Sequence, residues 1–171
     1  MASWKKSCAV VAVVLAIGGG ALAAAPAGAQ SQVREAGLRS YPVADLTFVN
    51  DENNGQLGVR GSRLVADPDP QGLDIWVMQP PPGAPQGVLQ IQRSGTNSCI
   101  TATSSTQVVL ADCANNPGRA QRWALDITPN QTTTIVSRQY PGQALTQVGE
   151  SVRLDRLSDE DPNQLWHVYN S

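Results

Sequence analysis

His167 is the only histidine in the chain, and it stands directly after Trp166 in the stretch Leu165-Trp166-His167-Val168. A general base needs a proton donor within hydrogen-bond reach. No serine sits in a G-x-S-x-G elbow, and a histidine at the end of an apolar motif is expected to face outward or to cap packing. Carboxylates offer a second chemistry. Two acids flanking a glycosidic bond can cleave it, and Asp155 with Asp159 or Asp161 is the one cluster suited to that. Acids gathered in a loop such as Asp159-Glu160-Asp161-Pro162 are ordinarily just solvated. Asp67 and Asp69 lack the oxygen-rich spacing of a calcium loop, and Pro68 between them restricts the backbone. Cys99 and Cys113 with the distant His167 are too few for zinc, and no phosphate-loop or dinucleotide fingerprint occurs. The inventory points away from an enzyme, a metal centre or a cofactor.

The elements that would position these residues are short strands. Val88-Leu89-Gln90-Ile91-Gln92 alternates apolar and polar residues, the period of a strand with one buried face. Ser94-Gly95-Thr96-Asn97 then supplies turn residues, Cys99-Ile100-Thr101 reads as a second strand, and Val108-Val109-Leu110 as a third. The loop after Cys113 delivers Gln121-Arg122-Trp123. That ending recurs as Asn163-Gln164-Leu165-Trp166 and, degenerately, as Leu73-Asp74-Ile75-Trp76. The spacings between Trp76, Trp123 and Trp166 are therefore 47 and 43 positions. A period near forty residues with several strands per unit is a repeat signature, and units that small cannot bury an apolar face alone. The three units must pack together.

A Cys-bearing strand, a Val-Val-Leu strand ending near a second Cys, and Gln-x-Trp at the close resemble the ricin-type β-trefoil, the family of ricin B-chain-like lectin domains. The resemblance covers about residues 44–171 and is strongest in the middle and last units. It implies an all-β fold, a β-trefoil of three Gln-x-Trp-like repeats at about 44–86, 87–130 and 131–171. Trp76, Trp123 and Trp166 would lie in the shared core. It also implies a Cys99–Cys113 disulfide, since the family commonly carries a bridge inside a unit and these two cysteines fall on neighbouring strands. Such pairs persist in oxidising compartments.

Carbohydrate binding is the activity the resemblance implies. A pyranose offers hydroxyls to carboxylate and amide and a C–H face to an aromatic ring. The family meets those needs with an Asp after the Cys position, an aromatic near the end of the third strand, and an Asn before the Gln-x-Trp glutamine. This chain departs from that pattern. The middle unit has Thr101, Ala111 and Ala120 at the three positions. The last keeps Asn163 and Gln164 but has Thr146 for the Asp and Asp155 about where the aromatic belongs. In the first unit Gly58 or Val59 falls near the Asp position. Thr146, Asp155, Asn163 and Gln164 are the candidate sugar-binding set, and a weak or degenerate site is expected.

Residues 1–29 read as an export signal: Lys5 and Lys6, an apolar run from Cys8 to Ala25, and an A-x-A-like site at Ala27-Gly28-Ala29. Cleavage after Ala29 would release a secreted protein with no remaining membrane segment, although the run is long enough to raise the rival reading of a retained anchor. Residues 30–43 read as a polar tether. The chain has 12 basic and 14 acidic residues, and both lysines leave with the signal. The mature chain would thus carry ten arginines and a formal net charge of −4, with no basic patch of the kind nucleic acid or anionic lipid requires.

The 142 residues that cleavage after Ala29 would leave of the 171 suit one domain, and a monomer is expected. The loop Gln79–Gln86, with Pro80, Pro81, Pro82 and Pro85, is stiff enough to be presented to a partner. This leaves two further readings beside a glycan ligand: a trefoil proteinase inhibitor that holds a protease through this loop or through Asp67–Gly72, and a cell-surface interaction protein without a sugar ligand.

Overall fold

The computed structural model describes residues 43–68, 74–127 and 131–170. The expected export signal and nearly all of the tether lie outside that range. Twelve strands and two short 3-10 turns make up the described chain. Unit one holds β1 (Val43–Asn50), β2 (Gln56–Arg60), β3 (Arg63–Asp67) and β4 (Trp76–Gln79). Unit two holds β5 (Val88–Arg93), β6 (Ser98–Ser104), β7 (Gln107–Asp112) and β8 (Trp123–Ile127). Unit three holds β9 (Thr133–Ser137), β10 (Gln143–Val148), β11 (Ser151–Arg156) and β12 (Leu165–Asn170). The first strand begins at Val43, the final residue of the segment read as a tether.

The outer strands of the units close a ring. β1 pairs with β12, β12 with β9, β9 with β8, β8 with β5, β5 with β4, and β4 again with β1, all antiparallel. The inner strands form the hairpins β2–β3, β6–β7 and β10–β11. A six-stranded ring with three hairpins is the β-trefoil. Closure removes the free edges that an open sheet would expose to other chains.

The ring registers assign threefold equivalents. Phe48, Ile91 and Ile135 correspond, and all three are fully buried. The three tryptophans are equally buried, and each indole is held the same way. Trp76 Nε1 donates to the Leu57 carbonyl at 3.1 Å, Trp123 Nε1 to Ile100 at 3.0 Å, and Trp166 Nε1 to Leu145 at 3.0 Å. An indole N–H placed in a core without a partner would cost the desolvation of that group. The strand carbonyl of each unit's first hairpin arm meets that need, so the tryptophan ties the hairpin to the ring.

Cys99 and Cys113 form a disulfide across unit two, with Cα atoms 5.0 Å apart. Units one and three have no cysteines, and their hairpins are instead joined to each other. Ser151 pairs with Val65, and the Ala66 N–H donates to the Glu150 carbonyl.

Candidate functional site

The sugar-facing positions of the three units can be compared through the tryptophan bonds. Leu57, Ile100 and Leu145 are equivalent, so the next residues, Gly58, Thr101 and Thr146, are equivalent as well. This settles the register of unit one at Gly58. Two positions before each tryptophan stand Asp74, Gln121 and Gln164. Each of these side chains is engaged inside the protein.

Gln121 is buried among four groups. Its Nε2 donates to Thr101 Oγ1 and to the Asp112 carbonyl, and its Oε1 accepts from the Ala114 N–H and from Gln90 Nε2. Gln164 is fully buried; its Nε2 donates to the Arg156 carbonyl at 2.8 Å and its Oε1 accepts from the Ser158 N–H at 2.9 Å. These amides satisfy backbone groups that the return loop would otherwise leave unpaired.

In unit one the carboxylate of Asp74 takes the amide's place. It accepts from the Val59 N–H at 2.7 Å and from Arg93 Nε at 2.7 Å. A Cβ at Gly58 would come within 2.8 Å of Asp74 Oδ2. The glycine at that position and the acid two residues before Trp76 are therefore one adjustment: a shorter side chain reaches the β2 backbone because the strand residue below it has no side chain.

The same kind of bonding engages the candidate set from the sequence. Thr146 is buried, with Oγ1 donating to the Ala144 carbonyl. Gln164 faces the protein interior. Asn163 is half-buried, its Nδ2 donating to Asp161 Oδ1 and its carbonyl accepting from Asn50 Nδ2. Asp155 is about half exposed. Arg153 donates to its Oδ2 and the Arg156 N–H to its Oδ1, and together they hold this carboxyl below the usual carboxylate range. Asp161 caps the 3-10 turn Pro162–Gln164 by accepting from the Asn163 N–H, so it serves the backbone of the same loop.

Two surfaces that the sequence alone did not single out stand apart from this internal bonding. The first lies on the ring wall where β12 meets β1. His167 and Tyr169 alternate onto one face of β12, and their rings stack with centroids 6.0 Å apart. Tyr169 is 52% exposed, one of two exposed large apolar side chains among the described residues. Asp51 Oδ1 shares a 2.7 Å hydrogen bond with His167 Nε2. The turn carrying Asp51 is anchored: the Asp51 N–H donates to the Leu165 carbonyl, and Asn50 Nδ2 donates to the carbonyls of Asn163 and Leu165. An aromatic face and a carboxylate are thus fixed side by side, with Asp51 Oδ2 outside this pair.

The second surface is a depression of about 480 Å³ where the three hairpins meet on the pseudo-threefold axis. Its floor is Leu64, Val108 and Val152, which the hairpin registers make equivalent.

The proline loop shows its own order. The Ala84 N–H donates to the Pro81 carbonyl and the Val88 N–H to Pro85, while Pro81 is buried and Pro80, Pro82 and Pro85 are exposed. Among the described residues no group of three or more metal-ligating side chains comes together, and no helix is long and apolar enough to cross a membrane.

No protein-family model matches the chain, and no curated protein sequence does so either. Solved structures match its fold. The chain is similar to a designed threefold-symmetric protein, ThreeFoil, at 16% identity and a TM-score of 0.61, over 74% of this chain and 98% of that one. It is similar to the cytolethal distending toxin of Haemophilus ducreyi at 19% identity and a TM-score of 0.60, over 74% and 83% of the two chains. A GlcNAcα1-4Gal-releasing endo-β-galactosidase from Clostridium perfringens matches at 9% identity and a TM-score of 0.64, over 75% of this chain and 33% of the enzyme. At these identities the likeness is one of fold. The chain is a β-trefoil.

Proposed function

We propose that the chain is an exported, monomeric β-trefoil binding module of the ricin-like kind whose ligand is a carbohydrate. Export rests on the charged, apolar and small-residue pattern of residues 1–29, and the ricin-like kinship on the Gln-x-Trp endings and the bridge inside unit two. The observation that carries the sugar reading is the Tyr169–His167 stack beside Asp51. A carboxylate to accept hydroxyl hydrogen bonds and an aromatic ring to meet a pyranose C–H face are what sugar recognition needs. Here both are held on ordered strand and turn. An open platform of one ring and one acid encloses little of a ligand, so the affinity is weak, roughly millimolar. Its partners are glycans; the sequence, with 12 basic against 14 acidic residues, holds no basic run of the extent that nucleic acid or anionic lipid requires.

A glycan array probed with the mature chain at high concentration, beside Tyr169→Ala and Asp51→Asn, tests the reading. Expected is a weak, selective signal lost in both variants while their unfolding midpoints stay near wild type. No signal from any glycan overturns it. The ordered, largely exposed proline loop favours a second reading, a proteinase inhibitor acting through Gln79–Gln86. Inhibition in a protease panel that disappears when Pro82-Gly83 is replaced would select it.

A further inference from the structure

Equivalent positions of the three hairpins line the depression on the pseudo-threefold axis, yet the residues there are unlike. Leu64, Val108 and Val152 make an apolar floor. One step before them stand Arg63, Gln107 and Ser151, and one step after them Val65, Val109 and Arg153. The turns add the hydroxyls of Ser62 and Thr106. The lining has guanidinium, hydroxyl and amide groups but no carboxylate.

The nearby acids are engaged elsewhere. Glu150 and Asp67 both accept from Arg60, and Asp155 takes one amino group of Arg153. Arg63 makes no ion pair among the described residues, and Arg153 keeps its remaining N–H groups. On a chain whose acids outnumber its basic residues, two arginines in the lining of one depression are a local reversal of charge.

We infer that this depression binds the carboxylate of an acidic saccharide unit, with Arg63 and Arg153 gripping the anion and Ser62, Thr106, Gln107 and Ser151 meeting the ring hydroxyls. Guanidinium binds carboxylate through two parallel N–H donors, and such charge-assisted bonds are stronger than neutral ones. The apolar floor suits the C–H face of a sugar ring. A volume of about 480 Å³ lies within the roughly 300–1,000 Å³ span of small-molecule sites. Two cationic side chains in a depression whose lining has no acid suit a compact anion, whereas a polyanion would need a basic stripe across the surface. The site is separate from the Tyr169 face and does not depend on it.

Amide chemical-shift titration of the folded mature chain with glucuronic acid, glucose and sodium sulfate tests this. Saturable shifts with glucuronic acid are expected around residues 62–65, 106–109 and 151–153, with glucose binding at least about tenfold more weakly, the discrimination expected of a charge-assisted contact. Arg63→Gln should weaken glucuronic acid by about tenfold, and Arg153→Gln should do likewise. Both side chains are exposed, so the variants should fold, and their unchanged spectra away from the cap would verify it. Equal binding of glucose and glucuronic acid, sulfate binding as tightly as glucuronic acid, or no saturable shift at the cap would each overturn the inference. Glucuronic acid shifts confined to residues 51, 167 and 169 would also overturn it, while leaving the sugar reading of the Tyr169 face intact.

Discussion

The inner and outer positions of the same three hairpins obey different rules. Inward, the units are nearly interchangeable: Leu57, Ile100 and Leu145 each present a carbonyl to a tryptophan indole, and Leu64, Val108 and Val152 are all buried. Outward, one residue away, the equivalents are Arg63, Gln107 and Ser151. Close packing around a shared axis favours similar volumes, and these tryptophan-contacting and hairpin positions keep them, although Val59, Ala102 and Gln147, equivalent by the same registers, do not. Solvent imposes no such demand. Where the trefoil loses its threefold character it is free to recognise something, and both candidate surfaces lie at asymmetric positions.

The comparison breaks most severely if the inner layer is removed. Trp76→Ala, Trp123→Ala and Trp166→Ala should each lower stability by about 3–5 kcal/mol, read from denaturant midpoints. One variant unfolding like wild type would show that its unit does not contribute equally to the core. Reduction of Cys99–Cys113, which encloses 14 positions of sequence separation, should cost about 3 kcal/mol in the chain-entropy view. Thermal melts with and without reductant would measure it. Because the three units share one ring, protection against global opening should fall in all of them, with the largest local loss in unit two, which hydrogen exchange resolved by unit can read.

Replacing the tie residues sharpens the distinction between fold and site. Gln121→Ala and Gln164→Ala each strand buried backbone partners and should cost about 1–3 kcal/mol. If Gln164→Ala instead kept full stability and lost glycan binding, the amide would belong to a ligand site after all.

The smallest effect belongs to Asp155. Its carboxyl is held below the usual range first by the Arg153 hydrogen bond and then by the Arg156 N–H. A depressed folded value means that the stabilisation is present above the unfolded carboxylate range and is lost as pH falls through the folded value. Because the pair is about half exposed, solvent screening limits it to below about 1 kcal/mol. Asp155→Asn should therefore fall slightly short of wild type at neutral pH and converge with it in strong acid, as urea titrations across pH would show.

Much of this molecule could be read from local pattern. Alternation in Val88–Gln92 and the three tryptophans at a period near forty residues specify strands and repeats, since a strand's buried face and a unit's need for neighbours are written in the order of residues. Matching Ala144-Leu145 to Cys99-Ile100 also follows from local sequence. What the amides and acids do depends on partners far along the chain. Asn163 and Gln164 resemble sugar contacts as a dipeptide, but Gln164 closes the loop at residues 156–158, and Asn163 receives Asn50 from 113 positions away. The Gly58–Asp74 exchange is invisible until β2 is laid beside the loop before Trp76. Arg63, Thr106 and Arg153 share no motif, and Asp51 meets His167 and Tyr169 only because the ring closes β1 against β12. Sequence order determines which face of each strand is apolar; closure of the ring decides which polar groups are consumed inside and which remain together at the surface, because every buried donor and acceptor must first find a partner.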